Sequence, residues 1–235
     1  MVKPVAMDIS DWNKWHQEYE DSNSELAHRA RLVQKQVVAV VDTRAPSPVS
    51  IVSICGGQGR ELFGALEDHP RRGEITGRLV ELDPDNAAHA REWAHRAGMD
   101  ALQVVNADAS LSETYDNLGR ADLVILSGVF GHIDEKDQKR TVSFLREICD
   151  TDSTVVWTSY EVRPERTAFI ESCFNENDFE RVAFELTPND TFGVVVERNQ
   201  GIPLPLRLNR KIFSFGSSRK RREPGRSTNT DDSGG

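Results

Sequence analysis

Apolar residues recur along this chain with two different periods, and the switch between them predicts alternating helices and strands. From Ser24 to Val41 the positions Leu26, Arg29, Ala30, Val33, Val37 and Val40/Val41 follow a three-to-four spacing. That spacing gives a helix one packed face, and Pro46-Ser47-Pro48 ends it. Short β-rich runs follow at Val49–Cys55, Arg78–Leu82, Leu102–Asn106, Asp122–Ser127 and Thr154–Ser159. Helix-like segments separate them: Arg60–Glu67, Asp85–Ala97, Ser112–Leu118 and Lys136–Cys149. The run Leu123-Val124-Ile125-Leu126 is apolar without alternation, as expected of a strand covered on both faces. This order implies right-handed crossovers and an α/β fold built on a parallel, doubly wound sheet. The end of the pattern differs. After a helix-like Pro164–Phe174, the runs Phe179–Leu186 and Thr191–Val196 are joined only by Thr187-Pro188-Asn189-Asp190. So short a link, rich in turn residues, predicts an antiparallel pair.

Composition divides the chain without changing that picture. Residues 1–45 precede the alternating region, residues 46–200 contain it, 201–216 form an extension, and 217–235 form a basic, polar tail. The tail is too poor in apolar residues to bury a core and is expected to be disordered. Its run Arg219-Lys220-Arg221-Arg222 reads as a solvated stretch rather than a docking site. A net charge of −9 argues against a nucleic-acid partner held by general charge attraction. The three cysteines, Cys55, Cys149 and Cys173, have no paired spacing, so neither a disulfide frame nor a metal site is expected. No run approaches the ~20 apolar residues of a membrane span. Met1-Val2-Lys3-Pro4 lacks the apolar core of a secretion signal, and a cytoplasmic protein is the expectation.

Chemistry concentrates at the ends of the predicted strands. Ile51-Val52-Ser53-Ile54-Cys55-Gly56-Gly57-Gln58-Gly59-Arg60-Glu61-Leu62 is a strand running through a glycine turn into a helix. Glycines let the backbone turn sharply and let a ligand approach with no Cβ in the way. A dinucleotide loop requires G-x-G-x-x-G/A, and Leu62 stands at the third glycine position. The second strand ends in Glu81, roughly 20 residues beyond the loop, where a carboxylate can accept ribose hydroxyls. Asp83-Pro84 reads as the cap and first residue of the next helix, and capping is the expectation for Asp83 and Asp85. Asp108 lies just past the third strand. The buried fourth strand opens into Ser127-Gly128-Val129-Phe130-Gly131-His132. Polar groups at the C-terminal ends of successive parallel strands mark the edge where open α/β sheets bind ligands.

In order and spacing these elements resemble the class I S-adenosylmethionine-dependent methyltransferases, over roughly residues 49–198. The resemblance implies a Rossmann-like, seven-stranded sheet, mostly parallel with a final antiparallel strand, and an N-terminal helical lid. It implies S-adenosylmethionine as cofactor, with the backbone of Cys55, Gly56, Gly57 and Gly59 against its methionine part. Glu81, with Leu82 beside it, would hold the ribose, Asp108 would meet the adenine amino group, and Ala109 would offer its N–H to the ring. Ser127 would flank the sulfonium. Ser53 stands where the family often has an acidic residue, and Cys55 where it has a first glycine. Cys55 reads as a packing residue rather than a nucleophile.

The methyl acceptor is less legible. His132 is the candidate base or acceptor contact, against a packing role. Trp157 and Tyr160, flanking the end of the fifth strand, are candidates to line an acceptor pocket, as is Tyr19, which sits with Trp12, Trp15 and His16 in the lid segment. Methyl transfer to oxygen or nitrogen of a small organic molecule is the leading expectation. Nucleic-acid or protein methylation loses ground because Ser127-Gly128-Val129-Phe130 replaces the Asn/Asp-Pro-Pro-Tyr/Phe typical of amide and exocyclic nitrogens. A cofactor-binding module without transfer and a homodimer built on the apolar N-terminal helix both stay open.

Overall fold

A computed structural model describes Tyr19 and residues 21–215, so Trp12, Trp15, His16 and the tail at 217–235 lie outside the described residues. Ser24 opens α1 (Glu25–Thr43) by accepting the Ala27 N–H at 3.0 Å. There follow β1 (Val49–Ile54), α2 (Arg60–Leu66), β2 (Ile75–Glu81), α3 (Pro84–Arg96), β3 (Leu102–Asn106) and β4 (Ala121–Leu126). Then come α4 (Glu135–Ile148), β5 (Cys149–Tyr160), α5 (Pro164–Glu176), β6 (Phe179–Leu186) and β7 (Phe192–Asn199). No helix among the described residues is long and apolar enough to cross a membrane.

The seven strands form one sheet in the order β3-β2-β1-β4-β5-β7-β6. The first five in that order pair in parallel, and β7 is antiparallel to both of its neighbours. The last strand in sequence is therefore interior. The β5–α5–β6 crossover skips one place, and the hairpin at Thr187–Asp190 returns the chain into the gap. Asp190 makes that reversal in the left-handed region at φ 54, and the Thr187 hydroxyl accepts the Phe192 N–H at 3.0 Å.

Two elements depart from the expected pattern. Instead of a helix over Ser112–Leu118 there is a single 3-10 turn, Ser112–Tyr115. Asn117 and Gly119 leave the right-handed region at φ 56 and 80, and the Ser112 N–H is committed to the distant Arg210 carbonyl at 3.0 Å. β2 begins three residues before Arg78 because Gly77 belongs to the strand. At φ 111 it lies so close to β1 that a Cβ would come within 2.1 Å of the Ile51 carbonyl oxygen.

Alternate residues of the central strands feed two cores. Ile51, Leu123, Ile125, Val156, Val194 and Val196 share one with α1, α2 and α3. Val52, Val124, Leu126, Val155, Trp157 and Val195 share the other with α4 and α5. The apolar stripe of α1 is thus spent inside the domain: Val33, Val37 and Val41 are fully buried. This helix is a layer of the fold, packed through that face on the sheet and on its neighbouring helices.

Trp157 stacks on Phe174 with centroids 5.7 Å apart and meets Phe130 edge-on at 5.4 Å. The indole is fully buried, so its expected place in an acceptor pocket is corrected to one in the core. On the same face β7 buries Glu197. Burial pushes its carboxyl up to about 7, and the charge of Glu171 adds to that shift. A carboxyl held above its ordinary value of 4.5 binds its proton more tightly in the native state, so stability falls as pH rises between 4.5 and about 7. Glu197→Gln is expected to remove roughly 2–3 kcal/mol of the stability difference between about pH 5 and pH 8. Urea unfolding at both pH values checks this, and an unchanged difference would assign the titration elsewhere.

Candidate active site

β1 stops at Ile54 because the next residues turn left-handed: Cys55, Gly57 and Gly59 have φ of 54, 55 and 79. The Gly59 N–H closes the turn on the Gly56 carbonyl at 2.8 Å, and the Phe63 N–H to Gly59 C=O bond starts α2. The loop is braced from β2. Glu81 Oε2 accepts the Gly57 N–H at 2.8 Å, and Glu81 Oε1 accepts the Asp83 N–H at 2.8 Å. Burial raises this carboxyl, against the pull of those two N–H donors. Asp83 caps α3 as expected, accepting from Asp85 and Asn86 at 3.0 and 2.9 Å, and Asp85 lies in the first helical turn. Leu82, beside Glu81, is exposed.

The neighbouring strand ends converge on the loop. The Asp108 carboxylate turns its own loop by accepting the Ser110 N–H through Oδ1 at 2.8 Å. Ala109 is buried beneath it, its carbonyl accepting the Tyr115 hydroxyl at 2.8 Å. Cys55 registers both acids. Burial, then the charges of Glu81 and Asp108, push its thiol far above the ordinary range, so it stays a protonated packing group.

Across the loop, the Ser127 hydroxyl donates to Glu61 Oε1 at 3.0 Å, and the same oxygen lies 3.5 Å from the Arg29 guanidinium. Arg29 is buried, bonds the Tyr19 hydroxyl, and stands 5.2 Å over the Phe192 ring. Arg60 covers Tyr19 from another side at 5.4 Å. Burial and then Glu61 keep the Tyr19 phenol protonated. Gly128 is held by its N–H donating to the Thr158 hydroxyl at 2.8 Å. His132 ends the 3-10 turn Phe130–His132 and is exposed there. The surrounding protein, then the Arg166 and Arg29 cations, lower its pKa and keep the imidazole neutral. Tyr160 is exposed and packs on Phe192 at 5.6 Å.

The structure therefore gathers Cys55–Gly59, Glu81, Asp108, Ser127, His132, Tyr160 and Tyr19 along one edge of the sheet, and leaves Trp157 behind it. Sequence reasoning missed Arg29, Glu61 and Phe192. Arg29 carried a signal: it is a charged residue inside the apolar stripe of α1.

No protein-family model matches the sequence, and no curated protein sequence matches it. Solved structures match its fold. Magnesium protoporphyrin IX methyltransferase from Synechocystis, with bound S-adenosylmethionine, has a TM-score of 0.63 at 14% identity, over 84% of this chain and 100% of that one. An O-methyltransferase family 2 protein from Planctomyces limnophilus, in complex with apigenin, has a TM-score of 0.57 at 17% identity, over 84% of this chain and 64% of that one. Ribosomal protein L11 methylase from Lactobacillus delbrueckii has a TM-score of 0.52 at 14% identity, over 72% and 79%. The chain has the fold of these methyltransferases. Their names span a porphyrin and a ribosomal protein, so the fold selects no acceptor.

Proposed function

We propose that this chain is an S-adenosylmethionine-dependent methyltransferase acting on an oxygen or nitrogen of a small organic acceptor. The observation that carries the proposal is the convergence of Cys55–Gly59, Glu81, Asp108 and Ser127 at the C-terminal ends of β1, β2, β3 and β4. The residues present fit the cofactor. The left-handed loop offers a backbone surface without side chains at Gly56, Gly57 and Gly59. Glu81 is held rigidly at its rim by two N–H donors, suited to ribose hydroxyls. Asp108 has Oδ2 left for the adenine amino group, Ala109 lends its backbone to the ring, and exposed Leu82 lends an apolar contact. Buried Arg29 and its partner Glu61, with Ser127, complement a zwitterionic amino-acid head group.

When bound, the sulfonium supplies a methyl group that is already activated. The chain's own work is to align the acceptor with it and to exclude water. Neutral His132 can accept the proton that a hydroxyl or ammonium acceptor must lose. Tyr160 and Tyr19 border the space that remains. Residues ahead of α1 are the part of the N-terminal segment available to cover it.

Calorimetric titration with S-adenosylmethionine, S-adenosylhomocysteine and NAD tests the cofactor. Binding of the first two is expected, weakened in Glu81→Ala by on the order of 1–3 kcal/mol. Thermal unfolding of that variant, run alongside, separates lost contact from a loosened loop. Binding of NAD alone would sink the proposal. Failure of any acceptor pool from the source cell to take up labelled methyl would leave a cofactor-binding module without transfer.

A further inference from the structure

The chain beyond β7 stays on the domain. The Leu204 N–H donates to the Arg146 carbonyl at 2.8 Å, and Arg207 and Arg210 then grip Glu147 on α4. The strap pairs next with the loop after β3: the Ser112 N–H donates to the Arg210 carbonyl at 3.0 Å, and the Ile212 N–H to the Ser110 carbonyl at 2.7 Å. Finally the Ser214 N–H donates to Asp137 Oδ2 at 2.7 Å, near the start of α4. The strap thus runs from the Asp108 loop to the His132 turn and spans one flank of the site.

Its end is aromatic. Phe213 is buried and lies 5.4 Å from Phe215, whose ring meets His132 edge-on at 6.4 Å. Phe215 nevertheless stays 44% exposed, although hydrogen bonds fix the backbone just before it. At the end of the adjacent strand β5, Tyr160 stays 47% exposed while packed on Phe192. Two open rings, each held by a buried or partly buried aromatic neighbour, therefore border the edge where Ser127 and His132 emerge. An exposed aromatic ring held in place favours contact with a flat ring over a puckered one.

We propose that Phe215 is a specificity-determining residue, and that the acceptor taken at this site is a planar aromatic molecule. The proposal rests on the methyl-transfer reading of the same edge. It assigns the 201–215 strap to the acceptor site, where sequence reasoning saw only an extension.

The test uses two probes of equal charge, 2-naphthoate and cyclohexanecarboxylate, titrated by ligand-observed NMR into the full chain saturated with S-adenosylhomocysteine. Naphthoate is expected to bind more tightly than cyclohexanecarboxylate. Phe215→Ala should weaken naphthoate about fivefold, Phe215→Tyr should retain it, and both should keep S-adenosylhomocysteine affinity within about twofold. Equal binding of the two probes, no binding of naphthoate, or unchanged naphthoate affinity in Phe215→Ala overturns the acceptor assignment alone. Absence of S-adenosylhomocysteine binding overturns the methyl-transfer reading, and the acceptor assignment with it.

Discussion

Gly59→Ala is expected to cost roughly 2–4 kcal/mol of stability, and to remove most cofactor affinity from the molecules that fold. Two separate costs add at this position. The backbone is left-handed at φ 79, which disfavours any residue with a Cβ by about 1 kcal/mol. A Cβ here would also come within 2.3 Å of two ring carbons of Phe63. Phe63 is fully buried in the core shared by α1, α2 and α3, so the ring has nowhere to retreat. Either the ring or the loop must shift, and a moved loop loses the Gly59 N–H to Gly56 C=O bond that shapes it. Gly98→Ala is the control. Gly98 is also left-handed, at φ 67, but a Cβ there meets nothing within 4 Å, so only about 1 kcal/mol should be lost. Urea unfolding of both variants, with S-adenosylhomocysteine calorimetry on each, gives the comparison. Equal costs at the two positions would show that the Phe63 contact does not constrain the loop.

The same loop shows what the sequence could and could not reveal. The places of its glycines, and of Glu81 and Asp108 beside it, were legible because each is set locally: a turn, a strand end, a loop start. Phe179–Leu186 and Leu102–Asn106 were legible as strands for the same reason. What escaped depends on contacts between distant segments. Arg29 looked like one more position on a helical stripe, and only folding brings it to Glu61 and Tyr19. Ser112–Leu118 has helical spacing, but Arg210, nearly a hundred residues away, claims both the Ser112 N–H and its hydroxyl. Trp157 stands near the end of a strand, as a pocket residue would. Its face of the sheet is decided by pairing with Val195, which turns it into the core beside Phe174. The interior place of β7 was hidden too, because a hairpin predicts who pairs with whom and not which partner takes the edge.

The double substitution of Arg207 and Arg210 by alanine is expected to destabilise the chain by roughly 3 kcal/mol, more than Glu147→Gln does. Glu147 is fully buried and reads as an ordinary member of the amphipathic α4, yet its carboxylate receives four donors from the strap. These are the Arg207 N–H at 2.9 Å, Arg207 Nε and Nη2 at 3.0 and 2.6 Å, and Arg210 Nη2 at 2.5 Å. The two sides of this clamp are unequal. Arg207 and Arg210 side chains are 64% and 31% exposed, so on losing Glu147 they can turn to water. Glu147 cannot turn out, and without the guanidiniums a buried charge keeps only the Arg207 N–H. The Arg207→Ala/Arg210→Ala/Glu147→Leu triple variant should therefore recover most of the loss, since it removes the stranded charge with its partners. Denaturant unfolding of the three variants orders them, and a Glu147→Gln cost equal to that of the double variant would refute the asymmetry. The double variant has a second consequence. Strap residues 210–215 are placed by this clamp and by the pairing with Ser110 and Ser112, so cleavage within 201–215 under limited proteolysis should rise in it. Naphthoate binding should fall with that cleavage, because Phe215 reaches His132 only while the strap is seated.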